Sequence, residues 1–206
     1  MRTFKIYKDF VDAGCNIHSK STIELQPGVT VLVGCNGYGK TTLIKQLKQI
    51  LEKDKTPVIS YNNLHDGGSH SRSEAMFLGD YQFAATSMCS SEGENINMNL
   101  ARFASKIAAF VKSNKQAKEL FILLDAVDSG LSVDNIIDLK DLFDIIIESN
   151  SDKDVYIVIA ANEYELVRGS NCFDVYKCQY RQFKTYEAYR NFIVRTRKVK
   201  DARKYN

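Results

Sequence analysis

The chain has 206 residues, of which 44% are hydrophobic and 26% charged, the balance of a folded globular protein rather than a disordered one. That length supplies one sizeable core, and residues 1–206 read as a single domain. No run approaches the roughly 18 consecutive apolar residues of a membrane span, and Met1-Arg2-Thr3-Phe4-Lys5 lacks the apolar stretch of a secretory signal. No membrane role and a cytoplasmic location are therefore expected.

The five cysteines (Cys15, Cys35, Cys89, Cys172 and Cys178) are odd in number and scattered, without a C-x-x-C pair. They read as reduced thiols, mostly buried, rather than as a disulfide framework or a zinc site. The net charge of +3 is unevenly spread: residues 177–206 carry ten Lys/Arg against two acids, while residues 1–176 carry eighteen against twenty-three. A basic C-terminal tail of this kind suits DNA or an acidic partner, or is simply a solvated helix face.

In chain order, Thr3 to Tyr7, Ser21 to Leu25 and Thr30 to Val33 have the composition of short strands, the last two separated by the turn Gln26-Pro27-Gly28. A Gly-rich loop follows, then a helix expected from Lys40 to about Lys53, with Leu43, Ile44, Leu47, Ile50 and Leu51 at helical spacing. Val58 to Tyr61 is a further strand. Asn62 to Cys89 is the least regular stretch and is left without elements. Helices are expected over Glu94 to Val111 and Val133 to Ile147, and strands over Leu120 to Leu124 and Val155 to Ala160. Cys172 to Tyr176 reads as a short strand and Tyr186 to about Val199 as a closing basic helix. Alternating strands and helices imply an α/β fold, a mostly parallel sheet flanked by helices with a small antiparallel β part at the N-terminus.

The chemistry lies in Gly34-Cys35-Asn36-Gly37-Tyr38-Gly39-Lys40-Thr41, which satisfies G-x-x-x-x-G-K-[ST] directly after an apolar strand and directly before a helix. Glycines let the backbone turn its N–H groups toward phosphates, and the helix N-terminus favours negative charge there. Lys40 is expected to reach the β- and γ-phosphates of ATP, with Thr41 a ligand of Mg2+. Phe121-Ile122-Leu123-Leu124-Asp125 has the form of the partner strand, four apolar residues delivering an Asp at the carboxyl end, where open α/β sheets bind ligands. Asp125 is the second expected Mg2+ residue.

Three stretches resemble the ABC-class ATPases, P-loop NTPases that include transporter engines and the ATPase heads of chromosome-maintenance and double-strand-break-repair proteins. Asn36-Gly37-Tyr38-Gly39-Lys40-Thr41-Thr42-Leu43 is similar to that class's form of the phosphate loop. Ser90-Ser91-Glu92-Gly93-Glu94 resembles its signature motif, and Asp128-Ser129-Gly130-Leu131-Ser132 its D-loop. The resemblance implies an ABC-ATPase-like fold, ATP with Mg2+, and a homodimer formed head-to-tail on ATP binding. Ser91, Gly93 and Glu94 would then meet the γ-phosphate held by the other subunit, although Ser91 and Glu94 alone also make a helix capping box. It further divides the chain into N-terminal strands (1–33), a short signature-bearing subdomain (62–113) and the basic tail (177–206). Compact forms of this kind resemble ATPases of bacteriophage and mobile-element genomes. Gln82 is a weak candidate for the Q-loop, and Phe4, Tyr7 and Phe10 are candidates for stacking on adenine or, equally, for the core.

Two positions depart from the family's pattern. Ala126 stands where the class carries the Glu that serves as general base, and Asn162 stands where it carries a histidine. Slow hydrolysis is expected, with Asp128 the nearest replacement base, and a non-hydrolysing ATP-gated binding module is the alternative. A transporter subunit and a P-loop kinase using Arg72 are weaker readings. The tail offers DNA or a partner protein a place to bind.

Overall fold

The structure is a computed structural model that describes residues 1–8, 16–62, 73, 75–77, 79–89 and 92–204. Its centre is a six-stranded sheet built from β3 (Gly28–Val33), β4 (Val58–Asn62), β5 (Glu119–Asp125), β6 (Asp154–Ala160), β7 (Asn171–Asp174) and β8 (Gln179–Arg181). The spatial order is β4-β5-β6-β3-β7-β8, parallel throughout except where β8 runs antiparallel to β7. A separate antiparallel pair joins β1 (Arg2–Lys5) and β2 (Thr22–Leu25) at the N-terminus. The helices are α1 (Lys40–Lys53), α2 (Tyr81–Cys89), α3 (Glu92–Ser113), α4 (Val133–Glu148), α5 (Tyr164–Val167) and α6 (Tyr186–Lys204). The expected α/β architecture is present.

The central strands are near-continuous apolar runs because both faces of the sheet are covered. Alternation distributes them. Ile122 and Leu124 of β5, Ile157 and Ile159 of β6, and Val31 and Val33 of β3 pack with Phe103, Ile107, Phe143, Tyr189 and Phe192 from α3, α4 and α6. Phe121 and Leu123, Tyr156 and Val158, and Leu32 face the other way, onto Leu43, Leu47 and Leu51 of α1 and Phe4, Ile23 and Leu25 of the β1–β2 pair. That pair is stapled down by Arg2, whose guanidinium bonds Thr56 and Asp54 at 2.9 Å each and also Glu119, and lies over the rings of Phe4 and Phe121. Phe4 is therefore a core aromatic, 1% exposed and edge-on to Phe121, and is not available to adenine. Tyr7 is exposed.

The largest departure from expectation is α2, within the stretch left without elements. Asp80 caps it, its Oδ1 accepting from the N–H of Phe83 at 3.2 Å. Tyr81 at its start is exposed and Phe83 only half-buried, so no clean apolar stripe marks it. β8 was also missed: it is three residues long and reached through the tight turn after Asp174, where Cys178 takes φ 52°. The single-turn α5 is too short to have a period. α6 runs on to Lys204, past the expected Val199. Among the described residues no helix is long and apolar enough to cross a membrane. Cys35, Cys172 and Cys178 are buried free thiols and Cys89 is an exposed one, while Cys15 lies outside the described residues.

Candidate nucleotide site

β6 lies between β3 and β5, with Ala160 level with Leu32 on one side and Asp125 on the other. The carboxyl ends of these three strands thus deliver the glycine loop, Asn162 and Asp125 to one edge of the sheet. Gly34 leaves β3 at φ 149°, and a Cβ built there would collide with the ring of Tyr38, which is itself buried. Tyr38 closes the turn by donating its N–H to Cys35 O at 3.1 Å. The loop is therefore folded around its own tyrosine, and Gly34 can have no side chain. Gly34→Ala is expected to weaken nucleotide binding by about tenfold or more and to cost about 1–3 kcal/mol through overpacking, as checked by a nucleotide titration beside chemical denaturation.

Gly39, at φ 107°, leads into α1 and places Lys40 and Thr41 in its first turn. The Lys40 side chain folds back over the loop, Nζ donating to Gly34 O at 2.7 Å and more weakly to Cys35 O at 3.4 Å. Burial lowers its pKa, an effect opposed by the nearby Cys35, Asp128 and Asp125. The loop thus holds an ammonium that burial disfavours and that a phosphate would favour.

Thr41 Oγ1 donates to Asp125 Oδ1 at 3.0 Å, so the two residues expected to share Mg2+ are already in contact. The other carboxylate oxygen, Oδ2, accepts from Asn62 Nδ2 at 3.0 Å. A hydroxyl and a carboxylate, both hard oxygen donors at the mouth of a phosphate loop, fit a divalent cation that keeps several waters and binds the nucleotide as well. Asn62 was not expected here. It ends β4 in register with Asp125, a pairing that only the strand order reveals.

Beyond Asp125 the chain turns sharply. Ala126 adopts φ 55°, a left-handed conformation uncommon for a residue with a Cβ, while its N–H bonds Ala160 O at 3.1 Å. Asp128 is 3% exposed, and its Oδ2 accepts from the N–H groups of Asn162 at 2.5 Å and Glu163 at 2.7 Å. Its Oδ1 is buried without a hydrogen-bond partner among the described residues. Asp128 therefore ties the turn after β5 to the turn after β6. Asp128→Ala would orphan two N–H groups and is expected to cost about 1–3 kcal/mol, read from the denaturation midpoint.

Asn162 is exposed, and its main chain is pinned from both sides: its N–H by Asp128 and its carbonyl by the Tyr189 hydroxyl at 2.9 Å. Tyr189 belongs to α6, which lies against the glycine loop. Thr196 Oγ1 accepts the Cys35 N–H at 3.1 Å, and Lys200 Nζ donates to Asn36 O at 3.1 Å. The basic tail is accordingly a docked helix, in contact with the phosphate loop at two consecutive residues. Gly37 is exposed and Thr42 half-buried on α1. Ser90, Ser91, Arg72 and Phe10 lie outside the described residues, Gly93 and Glu94 fall in the first turn of α3, and Gln82 sits exposed on α2.

A family model described as an AAA domain (AAA_22) matches residues 23–168, from β2 through the phosphate loop and Asp125 to the end of α5. The chain belongs to this family of AAA domains. Against curated proteins it has no significant match. This AAA domain is a P-loop NTPase domain, and nucleotide binding follows from membership together with an intact glycine loop. Mg2+ typically accompanies the nucleotide in this class. The matched span ends before α6, so the helix that grips the loop lies outside the part described by the family model.

Proposed function

We propose that this AAA domain is an ATP-dependent switch: it binds ATP with Mg2+, pairs head-to-tail with a second copy, and hydrolyses the nucleotide slowly. The observation that carries the reading is the Thr41–Asp125 contact beside Lys40, in which the start of α1 and the end of β5 meet at the carboxyl edge of the sheet. Thr41 and Asp125 would hold the cation, which supplies charge neutralisation for the β- and γ-phosphates. Lys40 would exchange its bonds to Gly34 O and Cys35 O for phosphate oxygens, and the N–H groups of residues 36–42 would cradle the remainder. The choice of adenine over guanine rests on the resemblance to the ABC-class ATPases, and the chain contains no guanine-reading Asn-Lys-x-Asp motif.

Slow turnover follows from Ala126, which cannot take a proton from water, and from Asn162, which can hydrogen-bond but not carry charge. Asp128 is the replacement base in this reading, with Oδ1, which has no hydrogen-bond partner among the described residues, in the electrostatic neighbourhood of Lys40. Dimerisation rests on the likeness of residues 90–94 to a signature motif and of residues 128–132 to a D-loop. The likeness to the ATPase heads of chromosome-maintenance and DNA-repair proteins, in a compact form like those of bacteriophages and mobile elements, extends the proposal to DNA bound along α6.

Light scattering with and without Mg-ATP, with phosphate release followed in the same samples, tests the switch. A monomer that becomes a dimer while releasing little phosphate is the expected result. A mass unchanged at saturating ATP removes the dimer and the signature assignment with it. A shift to dimer with no phosphate release at all favours the non-hydrolysing module, in which ATP serves only to join the subunits.

A further inference from the structure

α6 carries seven Lys/Arg against two acids between Tyr186 and Lys204, yet it is not a loose basic tail. Tyr189 and Phe192 are buried, and the rings of Tyr164, Tyr186, Tyr189, Phe183 and Phe192 pack one on another at centroid separations of 5.1–5.7 Å. From this anchored face, Tyr189, Thr196 and Lys200 reach three main-chain points: the Asn162 carbonyl, the Cys35 N–H and the Asn36 carbonyl. Their spacing of seven and then four residues puts all three on one side of the helix. Arg195 and Lys198 are exposed, and Arg190 and Arg197 line a cavity of ≈ 330 Å³ between α6 and residues Gly34 to Asn36.

We infer that α6 is a coupling element, through which nucleic acid bound along its basic residues tightens the phosphate loop's hold on ATP by way of Thr196 and Lys200. The inference rests on the nucleic-acid reading of α6 proposed above. Arg195 and Lys198 are like charges three residues apart on the exposed side of the helix, and such pairs weaken a helix. A phosphate backbone laid along them removes the repulsion and firms the helix. A firmer α6 holds Cys35 and Asn36 in place before ATP arrives, so less ordering remains to oppose binding. Because coupling is reciprocal, ATP strengthens nucleic-acid binding by the same factor.

The test is the affinity of the full chain for Mg and fluorescent mant-ATP at low salt, with and without a 20-base-pair DNA duplex, alongside anisotropy of the labelled duplex itself. The expected result is a tightening of about fivefold or more in the unmodified protein. In Thr196→Val and Lys200→Met it falls to under about twofold, although both variants still bind duplex. Lys200 is on the solvent side of the contact, so its variant remains informative if loss of the buried Thr196 hydroxyl destabilises the fold. Duplex binding with unchanged ATP affinity overturns the coupling and leaves the nucleic-acid reading standing. Full tightening in both variants overturns the route through Thr196 and Lys200. No duplex binding to the unmodified protein overturns the nucleic-acid reading and the coupling together, while mant-ATP binding remains its own readout.

Discussion

Lys40→Met weakens Mg-ATP binding by about 10- to 150-fold, the loss of about 1.5–3 kcal/mol of charged hydrogen bonding to phosphate, while the protein stays folded. The first half follows from position: the Lys40 side chain folds back over the loop, with Nζ on Gly34 O and near Cys35 O. The second half follows from burial, which already lowers the Lys40 pKa and disfavours the ammonium. A methionine of similar length fills the same space without a charge to desolvate, so denaturation should show equal or greater stability before ATP is added. The pH dependence has a definite sign. Phosphate favours the charged form and burial the neutral one, so ATP binding takes up a proton where free Lys40 is partly neutral. Affinity therefore falls as pH rises through the lowered Lys40 pKa, below the ordinary value of 10.5. Calorimetry in two buffers of different ionisation enthalpy reads this uptake, and Lys40→Met removes it.

Ala126→Glu raises phosphate release by about 10²- to 10⁴-fold, the range over which a positioned general base acts. Position 126 lies one residue beyond Asp125, at the mouth of the site and half-buried rather than sealed in the core. Its left-handed φ of 55° is already borne by a residue with a Cβ, so glutamate adds little new backbone strain. The turn is held by main-chain bonds, Ala126 N–H to Ala160 O and Ser129 N–H to Ala126 O, which the substitution leaves in place. Steady-state phosphate release at saturating ATP is the measurement. Unchanged release would mean that proton transfer is already served, with Asp128 the residue to alter next, or that chemistry does not limit the cycle.

Much of this molecule was legible in its sequence, for a physical reason. The glycine loop, the apolar strand before it and the helix after it are local features, and so is the run Phe121 to Asp125. Buried parallel strands announce themselves by continuous hydrophobicity, which is why β3, β5 and β6 were visible and the three-residue β8 was not. Thr41 and Asp125 could be paired in advance because the loop and the strand each carry a recognisable chemistry. Asn62 could not, since nothing in the sequence says that β4 lies beside β5 with Asn62 level with Asp125. The docking of α6 was hidden for the same reason: Thr196 and Lys200 meet Cys35 and Asn36 across more than 160 positions of chain. Charge composition drew attention to that helix but described only its outward face. The contacts that place it belong to its other side.

The most direct test of the account is calorimetric titration of ATP into the unmodified full chain, with Mg2+ and with chelator. One ATP bound per chain, tightly with Mg2+ and weakly without it, is the result expected of a site in which Thr41 and Asp125 hold the cation beside Lys40. Absence of binding at millimolar ATP with Mg2+ present, or binding indifferent to the metal, would contradict it.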